Sequence, residues 1–161
     1  MHIDLLVSQV EFIHHVVKRN TEHIDHAESL LSPVGGGNSF NWVLGHMVYT
    51  RNESMIFLNQ APLFPKEALE LYRDAPLTET RRAIEFEALL SQYDQLKNPY
   101  IEGLKKLTEK DLKQPAPEKL KDIADNLGEL LARLIFHEAY HAGQLGLLRR
   151  ITGRAGAIRL S

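Results

Sequence analysis

Residues 122–151 read DIADNLGELLARLIFHEAYHAGQLGLLRRI, and two folds compete for them. Residues 137–141, HEAYH, spell H-E-x-x-H, the pattern of a zinc-peptidase helix with two His ligands and a Glu base. The same stretch carries Leu127, Leu130, Leu131, Leu134, Leu145 and Leu148 at helical spacing, the stripe of a helix packed in a bundle. At about 100° per residue, His137 and His141 fall in the sector of Leu130, Leu134, Leu145 and Leu148, so both rings should face the core. Glu138 lies at the edge of that sector, within reach of either the site or solvent.

The peptidase reading needs a third ligand downstream. One class uses a carboxylate and another a His, in H-E-x-x-H-x-x-G-x-x-H. Residues 142–161, AGQLGLLRRITGRAGAIRLS, contain no His, Asp or Glu. Where the longer motif needs Gly and His, the chain has Gln144 and Leu147. Zincins also align substrate along a sheet edge, and no window here shows a convincing alternation of β-branched residues. The informative pattern is therefore H-x-x-x-H, and a third ligand must come from upstream.

Three more helical patterns precede this one. The first runs from about Asp4 to Ala27, with Leu6, Val10, Ile13, Val17 and Ile24 on one face, and LSPVGGGNS (31–39) stops it. The second starts near Ser39, a suitable N-cap, and continues to about Gln60. It is apolar on nearly every side (Val43, Leu44, Met47, Val48, Met55, Phe57), which predicts a mostly buried helix. Residues 61–77 hold three prolines and read as a connector with one short helix over 65–73. The third pattern follows from about Thr78, capped by Thr78 or Thr80. Its inner face is Phe86, Leu89, Tyr93, Leu96, Tyr100 and Leu104, and Pro99 should kink or split it. Residues 108–119 read as a loop, and Gly153 as the stop after the last helix, expected over Asp122–Ile151. Four long helices, each with an apolar face, predict an all-α four-helix bundle in one domain over 1–161.

Composition narrows the chemistry. A formal net charge of −2 gives no field to recruit nucleic acid. Arg149, Arg150, Arg154 and Arg159 make only a small patch, read as cations balancing a helix C-terminus. No stretch approaches the ~18 apolar residues of a membrane span. MHIDLLVSQVEFIHHVV lacks the basic start and apolar run of a signal peptide. Cysteine is absent, which fits a reducing cytoplasm and excludes thiolate ligands and a Cys nucleophile. Eight His are present, so any transition-metal site must be built from His and carboxylates.

A lone His on an apolar face is more often a core residue with one hydrogen bond than a ligand. A pair at four-residue spacing is different, because one metal satisfies both rings at once. For the third ligand, His46 lies mid-face on the second helix, with Glu53 and His14 in reserve. His15, His23 and His26 read as solvated. Three His with an open fourth position is a catalytic type of site. There Glu53 or Glu138 could accept a proton or orient an imidazole. Solvated or ion-paired roles for both carboxylates stand equally. Trp42, Tyr49 and Tyr140 could wall a pocket, although Trp42 also suits plain core packing.

FNWVLGHMVYTRN (40–52), followed by HEAYHAGQLGLLRRITGR (137–154), resembles the DinB/YfiT superfamily across essentially the whole chain. The specific pieces are His137, His141, Gly143 and Gln144 in H-x-x-x-H-x-G-Q, and Trp42 ahead of His46. The resemblance implies a mononuclear divalent-metal site, zinc or nickel, on His46, His137 and His141. It implies a bundle with a long crossover, often assembled as a homodimer. Some members of that superfamily are thiol-dependent: bacillithiol S-transferases, or a mycothiol-dependent maleylpyruvate isomerase. Others are stress- or DNA-damage-inducible proteins with no established reaction. Three functions follow as alternatives. One is a metal-dependent enzyme acting on a small molecule, by thiol transfer or hydrolysis. The second is a non-catalytic metal or small-ligand binder, and the third a closed structural metal site with a fourth ligand such as Glu53.

Overall fold

The computed structural model describes residues 2–74 and 80–158. Four long helices build a bundle: α1 (Ile3–Thr21), α2 (Phe40–Ser54), α3 (Phe86–Lys106) and α4 (Leu127–Ile151). Among the described residues there is no strand, only an isolated bridge between Pro115 and Asn126. No described helix is long and apolar enough to cross a membrane.

Both α1 and α2 pack against α3 and α4, which places α1 and α2 on one diagonal. Helix α1 runs parallel to α4: Asn20 meets Ala142, and Glu22 meets Arg149. Helices α2 and α3 are also parallel, with Asn41 at Ile84 and Arg51 at Tyr93. Helix α2 opposes α4, with Trp42 near His141 and Arg51 at Glu138. The order is up, down, down, up. Consecutive parallel helices cannot be joined by a tight turn, because the chain must travel back along the bundle. The described residues between α2 and α3, 55–74 and 80–85, belong to that long crossover.

Two buried side chains of α2 hold the crossover against the bundle. Asn52 Oδ1 accepts from the backbone N–H of Leu63 (2.9 Å) and Phe64 (3.0 Å), and its Nδ2 donates to Phe64 O (3.0 Å). Asn41 Oδ1 accepts from the Tyr72 hydroxyl at 2.8 Å, and that hydroxyl accepts from Ile84 N–H at 2.9 Å. The Tyr72 ring lies on Gly45, where an added Cβ would come within 2.3 Å of it. Only glycine lets the crossover approach so closely.

Several boundaries move from their sequence positions. Helix α1 ends at Thr21, because His23 takes a left-handed φ of 62°, and a separate turn (His26–Ser29) follows. His26 is half-buried, and its Nδ1 accepts from Phe86 N–H at 3.2 Å, which supplies a cap for α3. Helix α2 starts under Ser39, whose hydroxyl accepts from Trp42 N–H, and gives way to a 3₁₀ turn over Met55–Leu58. The connector helix is two short pieces, Lys66–Leu69 and Glu70–Tyr72. Thr78 lies outside the described residues. Thr80 opens a short turn (Thr80–Arg82), and α3 itself begins at Phe86. Pro99 does not split α3. The side chains that flank it, Tyr93, Leu96, Tyr100 and Leu104, are all buried, and that packing offsets the lost hydrogen bond. The loop before α4 contains a one-turn helix with a complete capping box, Thr108 with Asp111. Asn126 caps α4 through Glu129 N–H, so that helix starts later than Asp122. At its other end Arg149 donates to Glu22 O at 2.8 Å, and Arg154 pairs with Glu28, so these cations tie the C-terminal segment to α1's end.

Candidate metal centre

The antiparallel contact of α2 and α4 brings His46, His137 and His141 together. One ring nitrogen from each lies within 4.8 Å of the others. Three nitrogens about 2.1 Å from one tetrahedral metal are separated by roughly 3.4 Å, so small side-chain rotations would close the set. The ring centroids are 4.7 Å (His46–His141), 5.2 Å (His46–His137) and 4.5 Å (His137–His141) apart.

Hydrogen bonds orient two of the rings. His46 Nδ1 is 2.7 Å from the carbonyl oxygen of Tyr72. A carbonyl only accepts, so the proton sits on Nδ1, and Nε2 carries the lone pair. His141 Nδ1 is 2.8 Å from Gln144 Oε1, which in the same way leaves its Nε2 as the lone-pair atom. That atom lies 3.1 Å from His137 Nε2. Trp42 stacks on His46 with centroids 4.8 Å apart and planes within 10°, which fixes the ring plane. His141 is 5% exposed, and burial, followed by the neighbouring imidazoles, lowers its pKa to about 4 despite the Gln144 bond. Burial and His46 also lower that of His137, against an opposing pull from Glu138. Low values favour neutral rings, the form that binds metal.

The other candidates fall in different places. Glu138 is 8% exposed and turned into the bundle. Its Oε1 is 2.5 Å from Arg51 Nη2 and accepts from the Tyr93 hydroxyl at 2.9 Å. Glu53 is half-buried near Tyr49, whose pKa is raised by burial and then by Glu53. Neither carboxylate joins the three-His group. Trp42 is buried, and Tyr140 is exposed with its ring edge-on to His141 at 5.3 Å. Tyr49 lies on the crossover side, beside Glu70 and Arg73. His14, the reserve ligand, is engaged elsewhere: its Nε2 meets Asp94 Oδ1 at 3.1 Å, and its ring stacks on Tyr93.

A family model, the DinB superfamily, matches residues 10–145. The chain belongs to the DinB superfamily. This DinB-superfamily chain also superposes on a solved structure described as a conserved protein of locus from Enterococcus faecalis. The TM-score is 0.74 with 19% identity, over 94% of this chain and 97% of that one. At that identity the likeness speaks for the bundle alone. A comparison with curated proteins gives no match.

Sequence reasoning missed three contributors to the site. The Tyr72 carbonyl comes from the crossover, and a backbone acceptor leaves no residue-type signal. Gly45, next to His46, is legible only as a glycine inside a helix. Arg51 carried a usable signal, a cation in the sector of Leu44, Val48 and Met55 that would need a buried partner.

Proposed function

We propose that the chain binds one divalent transition metal, zinc or nickel, at His46, His137 and His141, and uses it to activate a small molecule. The observation that carries this reading is the ligand count. Three imidazoles converge, the lone pairs of His46 and His141 set by Tyr72 and Gln144, and no described carboxylate joins them as a fourth ligand. Such a donor set suits zinc or nickel better than a hard cation. The bound cation would supply Lewis acidity, lowering the pKa of a thiol or water beside it. In the thiol version, a low-molecular-weight thiol from solution would give up its proton to a base, and its sulfur would bond to an electrophilic carbon as that carbon's bond to a leaving group breaks. Hydrolysis is the variant with water. Of the two candidate proton acceptors, Glu138 shares a small cavity with His137 and His141 but is engaged by Arg51 and Tyr93, and Glu53 is the alternative. Tyr140, exposed beside His141, flanks the approach to the site, and Trp42 forms its floor. The exposed side chains of Phe136 and Tyr140 on α4 favour a homodimer, testable by sedimentation.

A non-catalytic metal or small-ligand protein of a stress response is the second reading, and the engagement of Glu138 favours it. The test is metal content by mass spectrometry for wild type, His46→Ala and His141→Ala, followed by cobalt substitution. Near one metal per chain, lost in both variants, supports the site. A new near-ultraviolet charge-transfer band on adding a small thiol to the cobalt protein supports thiol activation. No metal in wild type, and no stabilisation by zinc or nickel, sinks the metal site and the activation built on it.

A further inference from the structure

Helix α4 turns a second face to α1, and nothing in the metal centre uses it. Successive residues turn by about 100°, so Ala139, Gly143 and Gly146 face away from His137 and His141. Small side chains there leave a groove of about 350 Å³ between α1 and α4, walled by Phe12, Leu147 and Ile158. That volume lies within the usual range of small-molecule sites, roughly 300–1,000 Å³. Phe12 and Leu147 are both more than half exposed.

Two polar groups interrupt this apolar lining. Asn20, 2% exposed, sits at the floor. Its Nδ2 donates to Ala142 O at 3.1 Å, and its Oδ1 has no hydrogen-bond partner among the described residues. Gly146 packs directly on that amide, since a Cβ there would lie 3.2 Å from Nδ2 and 3.6 Å from Oδ1, so the floor of the groove admits only a glycine at this position. Arg150 stands at the rim beside Gly156, with no hydrogen bond to its guanidinium among the described residues.

We infer that this groove is a second binding site, for a small amphipathic anion. The apolar body of the ligand lies on Phe12, Gly143 and Leu147, and the acidic group pairs with Arg150. The site is independent of the metal reading.

Anilinonaphthalene sulfonate has both features, an apolar body and an acidic group, and phenylnaphthylamine is its neutral counterpart. Both are titrated by fluorescence against the full chain. Gly143→Leu fills the groove without a clash, since a Cβ at Gly143 meets nothing within 4 Å, and it raises helix propensity. The expected result is saturable binding near one dye per chain for both probes. Gly143→Leu should weaken both at least tenfold, with unchanged circular dichroism and metal content. Arg150→Ala should weaken only the sulfonate, by about tenfold, on the scale of a charge-assisted contact. Binding should persist in His141→Ala, so failure of the metal site would not imitate failure of this one. Unsaturable binding, or equal affinity in wild type and Gly143→Leu, overturns the inference. So does a wild-type dimer that binds no dye and becomes monomeric in Gly143→Leu, because a second copy would then fill the groove.

Discussion

Two polar clusters lie side by side in the apolar core, and they solve burial in opposite ways. In the first, Arg51 bridges α2, α3 and α4. Its Nη2 serves Glu138 and Tyr93, its Nη1 reaches His14 Nδ1 at 3.4 Å, and its guanidinium lies 4.3 Å over the Tyr93 ring. Burial is the largest single influence and opposes the Arg51 charge, but Glu138, Tyr93 and Tyr100 together outweigh it and raise the pKa. Donors meet acceptors throughout this cluster, and Arg51 Nε alone among the guanidinium nitrogens lacks one. In the second cluster three imidazoles from α2 and α4 present ring nitrogens to one another, and outer hydrogen bonds orient two of them, His46 and His141, inward. A polar cluster closed on itself holds helices together, whereas one whose lone pairs converge invites a ligand. A cavity of about 10 Å³, near the size of one water, separates the two, with His137, His141, Arg51 and Glu138 all on its wall.

That contrast can be broken at its strongest point. Arg51→Ala leaves the Glu138 carboxylate buried without its partner and should cost about 3–5 kcal/mol in chemical denaturation. His141→Ala in metal-free protein should cost far less. Similar losses from both would mean that the two clusters are equally structural.

Metal should reverse the ranking. Zinc or nickel at roughly a hundredfold above Kd should stabilise wild type by about 2.7 kcal/mol, read as a rise in Tm. His46→Ala, His137→Ala and His141→Ala should each abolish that rise. Stabilisation that survives in all three would place the metal elsewhere.

A subtler difference lies in the groups that orient the rings. Gln144→Ala should weaken metal binding by about 10- to 100-fold while leaving metal-free stability nearly unchanged, measured by competition with a chelator. Gly45→Ala should lower both together, because a Cβ there displaces Tyr72 and with it the acceptor of His46.

The last effect is on pH dependence. Burial first, then Arg51, lowers the His14 pKa from 6.5 to about 4. The fold therefore holds His14 neutral. Its contribution to stability is full above about pH 6.5 and is lost as pH falls towards 4. The expected loss is about 3 kcal/mol, and His14→Gln should flatten the metal-free profile by that amount. His141, shifted the same way, should leave a second slope that His14→Gln does not touch. A profile unchanged by His14→Gln would show that His14 is not held neutral by the fold.

The sequence by itself determined the bundle and the three histidines. Helical periodicity is local, so the stripes of α1, α3 and α4 were legible, and Ser39 was identified as the cap of α2. The four-residue step from His137 to His141 follows from helix geometry alone, and the lack of acidic residues or His over 142–161 weighs against the peptidase reading. Position on an apolar face made His46 the leading third ligand. Tertiary structure decided what local pattern cannot carry. Ring tautomers depend on the Tyr72 carbonyl, delivered by a crossover packed on Gly45. Glu138, at the edge of its sector, could have turned either way. The buried charge of Arg51 on the facing helix drew it inward, since neither group could be buried without the other. Burial of His14 follows from the same network, because its partners Arg51, Tyr93 and Asp94 belong to helices that meet α1 only in the folded bundle.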